Sequence, residues 1–197
     1  MIILLKDESR IIMSFFAWGL VAFILSFYTN NFISHAAAVS LQQLSVSWAP
    51  IVEEFFKALP LLYFLIYKKV DYHLLYFAMA SGIGFAIQEN YLYLVSVDNS
   101  LIYIIIRSVT TCLMHGITTA TIGLGITLIN KNLKSYYVAI LFGLFTFAVI
   151  FHALYNLYIN SGFKLMGLIM PPVLYLIGYM FLSEKQADGV KEINIVN

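Results

Sequence analysis

The chain has 197 residues, 61% of them hydrophobic and only 11% charged, with a formal net charge of +1. A soluble domain carries about 25% charged residues, so this composition, with a mean hydropathy of +0.88, excludes an ordinary soluble domain and points to an integral membrane protein. The near-zero charge argues for no nucleic-acid partner, and the single cysteine, Cys112, excludes an intrachain disulfide or a tetrathiolate metal site.

Lys6 and Arg10 precede the first apolar run, Ile11 to Tyr28. No small-x-small cleavage pattern follows it directly, and Ala36 and Ala38 come about ten residues too late, so the run reads as a retained transmembrane helix rather than a signal peptide. A spanning helix needs about 20 mostly apolar residues. Segments of that kind fall at 11–29, 49–67, 72–97, 101–129, 135–159 and 165–182. The stretch 33–48, with Ser34, His35, Ser40, Gln42, Gln43, Ser45 and Ser47, is too polar for a lipid-facing span. It reads as an interfacial or re-entrant helix ending at Trp48, whose indole suits the interface. The predicted fold is all-α: a polytopic transmembrane helix bundle of about six spans plus that one helix. Residues 1–184 form a single membrane-embedded domain and 185–197 a short polar tail.

The loop charges set an orientation. Lys6 and Arg10, Lys68 and Lys69, Lys131 and Lys134, and Lys185 and Lys191 all fall on one side if 33–48 does not cross. The opposite loops hold Asp98 and the single Lys164. The positive-inside rule then makes both termini of a multi-pass cell-membrane protein cytoplasmic. At 1.5 Å per residue, Glu53 lies roughly 6 Å below the outer end of its span, His152 roughly 10 Å, Glu89 roughly 12 Å and His115 roughly 20 Å.

Five acid or imidazole side chains inside apolar segments are costly, and such residues mark functional sites. They are Glu53, Glu54, Glu89, His115 and His152. Glu53 and Lys57, four apart on one helix face, can pair, which leaves Glu54 about 100 degrees away for another partner. An interhelical salt bridge is the purely structural alternative. Gly82, Gly84 and Ala86 let a neighbouring helix approach just before Glu89 and Asn90. His115 has Thr119 four residues on and Arg107 two turns before it, and His152 has Asn156 four residues on. Hydrogen-bonded packing is the alternative for each histidine. Together, acids and imidazoles can remove a proton from water and return it to a leaving amine. They can equally bind zinc through nitrogen and oxygen ligands with an open position for water. No HExxH motif or nucleophile elbow occurs.

The motifs Glu53-Glu54-x-x-Lys57, Gly84-Phe85-x-x-x-Glu89-Asn90, His115-x-x-x-Thr119 and His152-x-x-x-Asn156 resemble those of the PrsW family over about residues 45–160. That family comprises multi-pass bacterial proteases that make the first, extracytoplasmic-side cut in an anti-sigma factor. It is similar to the CAAX prenyl protease and bacteriocin-immunity group, whose pattern is a glutamate pair with arginine four residues on, then FxxxH, then HxxxN. Here Ala58 stands in the arginine's place, Lys57 comes one residue earlier, and Glu89 replaces the histidine after Phe85. These departures favour the PrsW branch.

The resemblance implies a membrane-embedded peptidase acting on a single-pass membrane protein near the outer face of the bilayer. Its catalytic candidates are Glu53, Glu54, Glu89, His152 and Asn156, supported by Lys57, Arg107, Asn90 and Thr119. Either a glutamate-activated water or zinc held by Glu89, His115 and His152 serves the chemistry. The histidine-bearing fourth span and the positions of Thr119 and Asn156 one turn from the histidines lean toward the metal. A CAAX-protease-like endopeptidase and a proton- or cation-coupled transporter are the alternative functions. The absence of an apparent internal repeat argues against the transporter.

Overall fold

The structure, a computed structural model, describes residues 7–67, 73–96, 100–131 and 136–195. Lys6, Lys68, Lys69, Asp98 and Lys134, which carry part of the orientation reading, lie outside these residues. The side chains of Lys131, Lys185 and Lys191 do so too. Among the described residues there are helices and no strands: α1 (Asp7–Ala37), α2 (Leu41–Val46), α3 (Trp48–Tyr67), α4 (His73–Ser96), α5 (Leu101–Lys131), α6 (Tyr137–Ile159) and α7 (Lys164–Ile195). Three of them contain stretches long and apolar enough to cross a membrane, Glu8–Ala37, Leu101–Thr127 and Tyr137–Ile159, and Lys164–Met180 is a shorter apolar helix. The expected count of about six spans is therefore met by three on length and composition. α3 holds Glu53, Glu54 and Lys57 within 20 residues.

The element ends differ from the sequence reading at three places. α1 runs on through Ala37, taking up the first part of the stretch expected to be re-entrant. It stops at Ala38, whose φ of 51° is left-handed, with Val39 N–H bonded back to the Ser34 carbonyl at 3.1 Å. Ser40 then caps α2 in a reciprocal capping box with Gln43. Six residues span only about 9 Å, so α2 cannot cross a bilayer. At the other end α7 continues through Ile195, where Glu184-Lys185-Gln186-Ala187 are good helix formers, so the polar tail is helical in its backbone.

Glycines set how closely α1, α4 and α5 approach. A Cβ on Gly19 would lie 2.1 Å from the Ser81 carbonyl oxygen, and one on Gly84 would lie 2.2 Å from that of Phe16. A Cβ on Gly82 would lie 2.1 Å from the His115 carbonyl oxygen. The small residues before Glu89 thus do what their spacing predicts. Pro60 lies inside α3 and cannot donate to the carbonyl of Phe56 one turn before. The indole of Trp18 on α1 takes that carbonyl instead, at 2.9 Å.

The main apolar cluster includes Phe15, Leu61, Leu74, Phe77, Ile122 and Ala148. In the alternating chain directions of α1 and α3–α6, Phe15, Leu61, Leu74, Phe77 and Ile122 lie toward one end of the bundle, with Ala148 midway along α6. Glu53, Glu54, Glu89 and His152 lie toward the other, and His115 is midway along α5. Outward-facing Phe32, Ile102 and Phe142 are each 72% exposed, as suits helices solvated by lipid.

Candidate active site

α3 supplies three ionisable groups that point two ways. Successive residues of a helix lie about 100 degrees apart, so Glu53 and Glu54 leave the helix in different directions. Glu54 turns into the bundle, where its Oε1 lies 2.7 Å from Lys57 Nζ; both side chains are 0% exposed. The pairing expected between Glu53 and Lys57 is thus replaced by Glu54 and Lys57 at i,i+3. A buried ammonium needs the equally buried carboxylate, and Glu53 faces α1 instead. There its Oε1 accepts a hydrogen bond from Asn30 Nδ2 at 3.2 Å, and its side chain keeps 15% exposure.

Lys57 also reaches His115 on α5, with Nζ 2.7 Å from Nδ1. An ammonium only donates, so Nδ1 accepts and the ring proton sits on Nε2. Nε2 lies 2.6 Å from Glu89 Oε2 on α4. The sequence-based depths separate Glu89 from His115 by about one and a half turns of helix. They meet because α4 and α5 are antiparallel and each Cα–Cβ bond tilts toward its own N-terminus, which leans the two side chains toward each other. The other Glu89 oxygen accepts from Arg107 Nη2 at 3.2 Å. Arg107 also donates to Asn90 Oδ1 at 3.1 Å and lies over the Tyr93 ring at 3.6 Å, while Asn90 Nδ2 donates to the Ser108 carbonyl.

α6 closes the site. His152 Nδ1 lies 2.9 Å from Glu54 Oε1. That carboxylate fixes the proton on Nδ1 and leaves the Nε2 lone pair bare. Nε2 points toward Glu53 Oε2 at 3.6 Å, too far for a direct hydrogen bond. The rings of His115 and His152 meet edge to face, with centroids 4.8 Å apart. One ligand atom from each of Glu53, His115 and His152 fits within a 4.8 Å set.

The structure therefore brings Glu53, Glu54, Lys57, Glu89, Asn90, Arg107, His115 and His152 into one polar chain. Two predicted partners point elsewhere. Thr119 Oγ1 donates to the main-chain carbonyl of His115 at 2.9 Å rather than to its ring, the usual back-bond of a threonine inside a helix. Asn156 Nδ2 donates to the Ser45 carbonyl at 2.9 Å, tying α6 to α2 rather than serving His152. The grouping of possible metal ligands also shifts: Glu53 takes the place predicted for Glu89. One participant was missed, Asn30; a pair of amides, Asn30 and Asn31, just after the first apolar run was the only signal for it. Tyr155 on α6 is fully buried, with its hydroxyl 2.7 Å from Thr111 Oγ1 on α5.

The family model described as PrsW family intramembrane metalloprotease matches residues 8–183. Neither the search of curated proteins nor the search of solved structures gives a match. The polar chain buried among apolar helices and the match over most of the sequence agree: this chain belongs to the PrsW family of intramembrane metalloproteases, and it is a membrane protein.

Proposed function

We propose that the chain hydrolyses a peptide bond of a single-pass membrane protein in the gap between Glu53 Oε2 and His152 Nε2. The 3.6 Å separation of those two atoms carries this reading. It is too long for a hydrogen bond and close to the roughly 3.4 Å that separates two donors sharing one tetrahedral zinc-sized ion. The donors present fit a metal: two imidazoles and one carboxylate are gathered within 4.8 Å, and Glu53 Oε2 and the bare His152 Nε2 face each other across the gap. Glu53 Oε2 and His152 Nε2 would hold it directly, His115 would join them once its Nε2 gives up its proton and its bond to Glu89, and zinc suits the set best. When bound, such an ion lowers the pKa of its water to about 7 and polarises a carbonyl.

The chain's own residues do the rest. Glu54 orients His152 through Nδ1, and Lys57 neutralises Glu54 and holds His115. Glu89, 26% exposed, accepts the proton of the attacking water on Oε2 once His115 has turned from it, and returns that proton to the leaving amine while Arg107 steadies Oε1. Burial of Glu54, Lys57, His115 and His152 keeps bulk water away from these charges.

The membrane arrangement we favour has six spans, α2 lying at or in the outer interface, and both termini cytoplasmic. The one-sided basic clusters of the sequence support it. In that arrangement the site opens in the outer half of the bilayer, where the first cut in an anti-sigma factor would be made. Metal analysis of purified protein, with cleavage assays on single-pass candidates reconstituted in vesicles, tests the function. Stoichiometric zinc and chelator-sensitive cleavage are expected; undiminished cleavage by metal-free protein would refute the metal reading.

A further inference from the structure

The last third of α1 holds three consecutive polar residues, Thr29, Asn30 and Asn31, that behave differently. Thr29 Oγ1 donates to the Leu25 carbonyl, and Asn31 Nδ2 donates to the Phe27 carbonyl, so both remain on their own helix. Asn30 alone reaches across to α3, where Nδ2 meets Glu53 Oε1 at 3.2 Å. Among the described residues it is the only hydrogen-bond donor to Glu53. Its amide can face Glu53 in one way only, since the carbonyl end would repel the carboxylate. Asn30 Oδ1 is left buried without a partner. A buried amide half satisfied in this way is a poor device for packing helices. It is a good device for setting a carboxylate rotamer. With Oε1 held by α1, Oε2 is the oxygen that faces His152 Nε2.

We propose that Asn30 is a positioning residue: it fixes Glu53 so that Oε2 faces the reactive gap, and acts on the reaction only through Glu53. This deepens the function above and rests on Glu53 being the carboxylate of that gap. Partners behind metal ligands hold them in one orientation, and losing such a partner weakens metal affinity about 10–100-fold.

The test uses full-length protein in detergent and zinc titrated against a chromophoric chelator. Asn30→Ala, Asn30→Leu, Glu53→Gln and the Asn30→Ala/Glu53→Gln double variant are compared with wild type, with melting recorded for each. Asn30→Leu fills the volume that Asn30→Ala empties, so a loss common to both is a loss of the hydrogen bond. Both single Asn30 variants should bind zinc about 10–100-fold more weakly. The double variant should bind no more weakly than Glu53→Gln, because Asn30 has no Glu53 carboxylate left to orient. Wild-type affinity in the Asn30 variants, with loss in Glu53→Gln, would overturn the positioning role and leave the function standing. Further loss in the double variant would make Asn30 a structural residue and also overturn it. Wild-type affinity in Glu53→Gln would instead remove Glu53 from the metal site, and the proposal with it.

Discussion

Gly82 on α4 packs directly on the main chain of His115 on α5, so closely that a Cβ on Gly82 would lie 2.1 Å from the His115 carbonyl oxygen. The contact joins helix packing to chemistry, because the same histidine reaches back to Glu89 on α4 at 2.6 Å. Gly82→Ala must push α5 away and carry His115 with it. The cost in stability should be about 1–3 kcal/mol. Turnover should fall about 100-fold, since a shift on the order of 1 Å in a catalytic group has that effect. Gly143→Ala, where nothing lies within 4 Å, is the matched control and should be neutral. Melting curves and cleavage rates of the two variants check this.

The two adjacent glutamates should respond differently to the same change. Glu54→Gln leaves the Lys57 ammonium buried with no carboxylate beside it and removes the acceptor of His152 Nδ1. Breaking one partner of a buried ion pair costs about 3–5 kcal/mol, so this variant should melt well below wild type. Glu53→Gln, at a partly exposed group hydrogen-bonded to the neutral Asn30 amide, should melt near wild type. Thermal unfolding in one detergent compares them; equal melting would mean that the division of roles between the two is wrong.

Trp18 should matter only because of Pro60. Trp18→Phe removes the donor that serves the Phe56 carbonyl, which should destabilise by about 1 kcal/mol. In a Pro60→Ala background the restored main-chain N–H satisfies that carbonyl, so the same change should cost less. A double-mutant cycle on melting free energy reads the difference. Strict additivity would show that the indole contributes by packing alone.

The sequence revealed the polar site more readily than its internal pairing. Lipid cannot solvate a carboxylate or imidazole, so Glu53, Glu54, Glu89, His115 and His152 stood out against their apolar surroundings. Helix spacing also placed Gly82 and Gly84 correctly at a close approach. Spacing does not determine how a helix is rotated in the bundle. That rotation gives Lys57 to Glu54 rather than Glu53. Nor does spacing choose between a neighbouring ring and a nearby carbonyl, so Thr119 and Asn156 bond to main chain. Asn30 was illegible for a related reason. An amide at the end of an apolar run resembles any interfacial residue until α3 is seen beside it. The end of α1 was misread because Ile33–Ala37 is polar enough to suggest a break, while the stop itself depends on the left-handed turn at Ala38.

The division of labour between Glu53 and Glu89 rests on their surroundings. Glu53 shares the gap with His152, and Glu89 sits behind His115 under Arg107. Zinc content and cleavage rate, measured together on Glu53→Gln and Glu89→Gln, separate the two roles. Glu53→Gln should lose both metal and cleavage. Glu89→Gln should keep its metal and lose turnover by about 100-fold or more, the usual worth of a general base. A Glu53→Gln protein that still holds stoichiometric zinc and cleaves at the wild-type rate would contradict the placement of the reactive centre between Glu53 and His152.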